Sequence, residues 1–384
     1  MDTYNRYSRS IRGSIFCFLL LFSGFGFTQS LQPGFQTQEY ADALAINFGN
    51  YDSVVTSEGR IPAYKWHYRS KVTGLDNRWW MWLSTDGKRG IITIRGTVAT
   101  TSSWLANVYA VMQPAIGDIK INDSVTFHYQ LADRPDAAIH TGWLLSLGSM
   151  AGDIEKKIRE QYAKGVKEYI ITGHSQGGGI AYLLRSYIYY RTKQGALPSD
   201  IIYKTYCSAA PKPGNLFYAY DYDYINKGGW AFTVVNAADW VPETPISIQQ
   251  FSDLNPLNPF VTIKSALSQQ RYFVRVYANM VYNKLNKSTR KAAKRYRRYL
   301  GDKVGKQVKK KLSQLDGINA ISTMNYMRAG TPIVLMPDME YYTRFPDDPT
   351  KGAGIWTHHT FEAYYLLLKK DYGTVTQGHS LLVE

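Results

Sequence analysis

The chain has 384 residues, 45% of them hydrophobic and 20% charged, which excludes an extended polar chain and leaves room for one large domain or two ordinary ones with a sizeable core. The formal net charge of +15 is not a property of the whole chain: 13 Lys and Arg against one Asp lie between Lys284 and Lys311, leaving +3 elsewhere. Two cysteines, Cys17 and Cys207, exclude a disulfide framework.

Arg6, Arg9 and Arg12 precede the apolar run "IFCFLLLFSGFGF", Ile15 to Phe27, and the polar "TQS" follows. A basic segment, about 13 apolar residues and then small polar ones predict a secretory signal peptide over residues 1–30. The run is short for a bilayer-spanning helix, which needs roughly 20 residues. Cys17 would leave with the leader, and a secreted or periplasmic protein, peripheral to membranes at most, is expected. Residues 31–384 are expected to form a single α/β domain.

Apolar spacing predicts a helix over "EYADALAINF", Glu39 to Phe48. "RWWMWLSTDGKRGIITIRGT" predicts a hairpin turning at Asp86-Gly87, with its second strand over Ile91 to Arg95. Ser102 to Met112 is expected as a short helix carrying Trp104, Leu105, Val108, Val111 and Met112 on one side. A long amphipathic helix, "GWLLSLGSMAGDIEKKIREQYAK", comes next. Strand Glu168–Thr172, a turn at Ser175, a helix from about Gly177 to Arg191, and strands Ile201–Cys207 and Ala231–Asn236 follow. Strands alternating with helices predict an α/β layered fold. After Pro245 the pattern breaks, and a mostly helical insertion is expected at about 255–320. Strand "TPIVLM", Thr331 to Met336, and helix "TFEAYYLLLKK", Thr360 to Lys370, resume the α/β pattern.

The stretch that carries chemistry is "YIITGHSQGGGIAYLL", Tyr169 to Leu184. "GHSQG" fits Gly-x-Ser-x-Gly between an apolar strand and an apolar helix, the context that such a nucleophile turn requires. Gly173 and Gly177 then sit where a Cβ would clash, and Ser175 projects beside the first N–H groups of the helix. "GHSLL" at Gly378 has no second glycine and no following helix, so Ser380 reads as tail.

A serine hydroxyl needs a histidine base, and the histidine needs a carboxylate to fix its tautomer. The expected order is Ser, Asp, His. Asp239, just past strand "WAFTVVN", lies where ligand-facing residues gather in open α/β sheets, and Asp338 after "PIVLMP" is the second candidate. Of the seven histidines, His358, His359 and His379 follow these acids; His379 is in the tail, and only one of the adjacent pair is able to face Ser175.

"IRGT", "SSWLANV", "HTGW", "ITGHSQGG", "SAAPKPGN", "VVNAADWVPETP" and "HHTFEAYY" occur in this order. With them the chain resembles the class 3 lipase family, the α/β-hydrolases that include the fungal triacylglycerol lipases. The resemblance covers most of Arg60 to Val241 and then Gly330 to Leu368. It implies an α/β-hydrolase fold, a mixed, mostly parallel central sheet with flanking helices, to which the basic helical insertion is added. It also implies Ser175 as nucleophile, Asp239 as acid and His359 as base, since His359, Glu362 and Tyr364 fit the family's His-x-x-Glu-x-Tyr register and His358 does not. Thr97 and Gln176 match the oxyanion-hole positions. The family usually has Leu where Gln176 stands; only its backbone is needed for the oxyanion, but the polar side chain would alter the acyl pocket. Lys212 in "PKPGN" replaces the usual Arg and loses its bidentate fork.

The expected activity is a serine lipase or carboxylesterase acting on acylglycerol or other lipid esters at an interface. A phospholipase A1-type enzyme and a lipid-surface binding protein with a vestigial triad are the alternatives. The Ser102–Met112 helix, with Trp104, Leu105 and Val108, is the lid candidate; an ordinary packed helix is the other reading. Three readings stay open for Lys284–Lys311: a solvated helix face, attachment to an anionic membrane surface, or a polyanion or protein partner. A secretory leader and the lack of a nucleic-acid motif argue against nucleic acid. Gly177-Gly178-Gly179 lacks the lysine of a phosphate loop and the His358-His359 pair lacks further ligands, so neither cofactor nor metal is expected.

Overall fold

Apolar runs and turn residues resolve, in the computed structural model, into a layered α/β structure; residues 30–49, 63–258, 261, 267 and 271–373 are described. Residues 1–29 of the expected leader, Cys17 among them, and His379 and Ser380 lie outside them. The first elements are α1 (Thr37–Phe48), β1 (Tyr64–Arg69), β2 (Trp79–Ser84), β3 (Arg89–Ile94), α2 (Thr101–Val108) and β4 (Met112–Pro114). Then come β5 (Ile116–Asn122), β6 (Val125–Gln130), β7 (Ala138–His140), α3 (Thr141–Tyr162), β8 (Glu168–His174) and α4 (Gln176–Lys193). These are followed by β9 (Ile202–Ser208), β10 (Gly214–Asn215), α5 (Leu216–Ile225) and β11 (Ala231–Asn236). The insertion holds α6 (Tyr272–Tyr296), a π-helical segment over Arg297–Lys303 and α7 (Val304–Lys311). The chain closes with β12 (Tyr326–Met327), β13 (Thr331–Leu335), α8 (Met339–Arg344) and α9 (Phe361–Tyr372).

The central sheet runs β1-β2-β3-β8-β9-β11-β13. Its first two pairings are antiparallel, and β3 through β13 pair in parallel. Side chains alternate between the two faces of a strand. Accordingly Trp79 and Met81 of β2, Ile92 of β3 and Ile171 of β8 join a core with Trp143, Ile154 and Leu184 of α3 and α4. Trp80, Ile91 and Ile170 face the other way and pack with Leu44 of α1 and with Tyr364 and Leu368 of α9. Strands covered on both faces read as continuous apolar runs, which is why "YIIT" and "AFTVV" were legible as strands. With helices on both faces of a mostly parallel sheet, the architecture is α/β-hydrolase-like. No helix among the described residues is long and apolar enough to cross a membrane.

The helix expected over Ser102–Met112 stops earlier, at Val108. Asn107 O, which a continued helix would offer to Val111 N, is taken by His140 Nε2, and Tyr109 O and Val111 O accept from Gly142 N and Thr141 N at the start of α3. Val111 and Met112 are buried against the body of the protein, and Met112 opens the small antiparallel sheet β12-β10-β7-β4. Gly142 is needed where α2 crosses α3: a Cβ there would lie 2.0 Å from Ala106 O.

His140 caps α3, accepting from Trp143 N at 3.3 Å, and its other nitrogen donates to Asn107 O at 3.0 Å. Burial pushes its pKa down to about 3. The unfolded chain therefore binds a proton near pH 6.5 that the folded chain refuses, so this group removes stability as pH falls from about 6.5 toward 3, at up to about 1.4 kcal/mol per pH unit. His140→Asn keeps a cap acceptor and deletes the titration. Urea unfolding between pH 7 and 4.5 is expected to show a slope shallower by about one proton in the variant; equal slopes would contradict this account.

Candidate active site

Ser175 stands at the sharp turn between β8 and α4 with φ 60° and ψ −128°. A non-glycine residue at positive φ costs free energy and persists where the surroundings fix it. Here Ser175 N donates to Ser208 O at 3.0 Å, and Gly179 N closes back on Ser175 O. The flanking glycines have steric causes. A Cβ on Gly173 would lie 2.2 Å from the Gly177 carbonyl carbon, and one on Gly177 would lie 2.1 Å from Ile94 O. The motif thus packs its own turn against the end of β3 and leaves Ser175 half-buried over the start of α4.

β11 ends at Asn236, and three residues later Asp239 is 3% exposed. Its Oδ1 accepts from Val241 N at 3.0 Å, and its Oδ2 accepts from the Tyr364 hydroxyl at 2.8 Å. Oδ2 also accepts from His359 Nδ1 at 2.6 Å. A carboxylate only accepts, so His359 carries its proton on Nδ1 and keeps a lone pair on Nε2. That Nε2 is buried and has no partner among the described residues. Ser175 and His359 line one cavity of about 370 Å³, together with Thr97, Trp104 and Trp356.

The other candidates are placed elsewhere. His358 is held by the Tyr341 hydroxyl on Nδ1 and by Asp347 on Nε2, away from the serine cavity. Asp338 is the N-cap of α8, accepting from Tyr341 N, and it pairs with Lys370. Sequence reasoning gave no role to His174. Its Nε2 donates to His359 O at 3.0 Å, its Nδ1 accepts from the Ser208 hydroxyl, and Ser208 Oγ lies 2.8 Å from Tyr40 Oη. Burial and the neighbouring His359 hold its pKa well below the usual histidine value, so the ring stays neutral and fixes the His359 backbone. The only sequence signal was its place inside "GHSQG".

Thr97 follows Gly96, which packs against the Ser175 turn; a Cβ on Gly96 would lie 3.1 Å from His174 O. The Thr97 backbone N–H meets no acceptor among the described residues, while its Oγ1 accepts from Asn107 Nδ2 at 2.8 Å. Gln176 is the first residue of α4, so its N–H points out of the helix along the positive end of the helix dipole. Its side chain has a further task. The amide donates to Ser103 O at 3.0 Å and to Asn107 Oδ1 at 2.9 Å, tying α2 to the serine turn.

Of the lid-candidate residues, Leu105 is buried under α2, whereas Trp104 and Val108 are partly exposed. Trp104 lies 6.3 Å from the Trp356 ring, which in turn lies 5.3 Å from Trp240 and 5.5 Å from the His359 ring. A second cavity of about 230 Å³ also reaches Ser175, walled largely by apolar side chains. Among the described residues no three His, Cys, Asp or Glu side chains converge to hold a metal ion.

Residues 91–248 match the family described as Lipase (class 3). Among solved structures, lipase II from Rhizopus niveus is similar at 25% identity, over 55% of this chain and 75% of its own, with a TM-score of 0.39. A lipase from Rhizopus microsporus var. chinensis is 24% identical over 55% and 69%, with a TM-score of 0.40. A triacylglycerol lipase from Penicillium expansum is 18% identical over 54% and 72%, with a TM-score of 0.41. No curated protein matches the chain. The family match runs through Thr97, the Ser175 turn and Asp239, so residues 91–248 are similar to the class 3 lipase family.

Proposed function

We propose that this protein hydrolyses lipid esters through Ser175, His359 and Asp239. The observation that carries the reading is the unpartnered His359 Nε2, on a ring that lines one cavity with Ser175 while Asp239 fixes the opposite nitrogen. In this reading His359 takes the Ser175 proton as the oxygen attacks the ester carbonyl. The Thr97 and Gln176 N–H groups hold the oxyanion. His359 then protonates the leaving alcohol, and water releases the acid from the acyl-enzyme. The Tyr364 hydroxyl, donating to Asp239, keeps the carboxylate in place.

The helix α2 is the lid of this enzyme. Its closed position is held by the Gln176 and Asn107 side chains and by His140 and Trp143 on Asn107, and breaking about five hydrogen bonds of roughly 1 kcal/mol each keeps the open form minor until an oil surface takes up Trp104 and Val108. The protein is a single hydrolase domain over 31–384, preceded by a signal peptide, and is secreted or periplasmic. p-Nitrophenyl esters, triacylglycerols and phospholipids assayed side by side test the reading. Hydrolysis of acyl esters that is lost in Ser175→Ala supports it, and no hydrolysis of any of the three ends it.

Attachment of the insertion to an anionic lipid surface is favoured by its layout. The 13 cations from Lys284 to Lys311 follow a first half of α6 that exposes Phe273 by 84% and Tyr277 by 66%. A cation near an anionic membrane gains about 1 kcal/mol before screening. Sedimentation with liposomes is expected to show at least tenfold tighter binding when anionic lipid is present, lost as salt rises. Equal binding to neutral liposomes would overturn it.

A further inference from the structure

The 230 Å³ cavity beside Ser175 takes part of its wall from a surprising source. α2 gives Trp104 and Val108, the segment after β11 gives Val241 and Ile246, and the basic insertion gives Tyr296 and Leu300. In "KRYRRYLGDK" the cations dominate the composition, and they are turned outward: Arg295, Arg297 and Arg298 are exposed, whereas Tyr296 and Leu300 are half-buried. A solvated helix face explains the cations. It does not explain two large apolar side chains, four residues apart, that share a cavity with the serine.

The insertion is docked where it makes this contact. Its small residues permit close approach: Ala293 is buried, a Cβ on Gly301 would lie 3.3 Å from Val111, and one on Gly305 would lie 2.9 Å from the Tyr109 hydroxyl. Val308 is fully buried, and Tyr296 packs against the cluster of Met112, Ala138 and Tyr326. Leu300 falls within the π-helical segment Arg297–Lys303, a rare geometry that recurs at functional sites.

We propose that the insertion is the acyl-specificity element of this enzyme, with Tyr296 and Leu300 as the wall that limits the length of the acyl chain. The proposal rests on Ser175 being the nucleophile. At about 230 Å³ the cavity lies below the range common for small-molecule sites, which suits a short acyl chain. The cations on the outer face and the acyl wall on the inner face then belong to one helical element, so the part of the chain that meets lipid also measures it.

The test is the kcat/KM profile over p-nitrophenyl butyrate, octanoate and palmitate for the full chain and for Leu300→Ala, Leu300→Trp and Tyr296→Ala. Urea midpoints check that each variant is folded. Leu300→Ala and Tyr296→Ala are expected to raise the palmitate-to-butyrate ratio about tenfold, the effect of accommodating about two further methylenes. Leu300→Trp is expected to lower the ratio by a similar factor. The same substitutions in a Ser175→Ala background, titrated with octanoate and palmitate and followed by tryptophan fluorescence, report the cavity without turnover. If the parent has no serine-dependent activity, the nucleophile reading falls, and the titration still decides the wall. Chain-length preferences unchanged in folded variants by both measurements would overturn the proposal.

Discussion

Ser175→Ala is expected to lower kcat toward lipid esters by roughly 10⁴- to 10⁶-fold, with KM nearly unchanged. The substitution removes the attacking oxygen and little else. The backbone at 175 keeps its N–H bond to Ser208 O and its acceptance from Gly179 N, and the glycines that shape the turn remain. Alanine at φ 60° carries the same strain as serine, so the unfolding midpoint should hardly move. A folded variant that retained even a tenth of the activity would mean that another group attacks the ester.

Asp239→Asn is expected to cost about 10⁴-fold in kcat. Oδ1 accepts from the Val241 backbone N–H, which fixes that position as the oxygen of an asparagine amide. The amide nitrogen then faces His359 Nδ1 and the Tyr364 hydroxyl, the two donors that Oδ2 serves in the native protein. His359 would answer by moving its proton to Nε2, where it can no longer take one from Ser175. Tyr364 would lose its acceptor; burial and Asp239 hold its pKa well above the ordinary tyrosine value, so it stays a neutral donor. Because the two residues act through one proton transfer, Ser175→Ala combined with Asp239→Asn should be no slower than Ser175→Ala alone. Losses that multiply in the double variant, or a single loss below tenfold, would make Asp239 a loop-fixing residue only.

The parts of the site legible from the sequence are those whose causes are local. Gly173 and Gly177 flag the turn because a Cβ has no room there, and the strand and helix beside it are read from apolar spacing alone. Asp239 is legible as a residue just past the end of a strand, and His359 only through the resemblance, since His358 is next to it and equally titratable. What the sequence hides depends on distant partners. α2 ends at Val108 where His140, from 33 residues later, takes the Asn107 carbonyl that a continued helix would offer to Val111 N. The sheet β12-β10-β7-β4 has strands of two and three residues, too short for any alternation to register. Gln176 reads as a larger side chain in the acyl pocket, yet its amide is spent on Ser103 and Asn107, about 70 residues earlier in sequence. Tyr296 and Leu300 are masked by the cations around them, and only the fold shows that they line one cavity with Trp104 and Val241.

Labelling of the purified protein with a fluorophosphonate, followed by mass spectrometry of the labelled peptide, tests the central claim most directly. The account predicts one adduct on Ser175, formed at least a hundredfold more slowly in Asp239→Asn. A protein that hydrolyses esters yet carries no label at Ser175, or carries it on another serine, would contradict it.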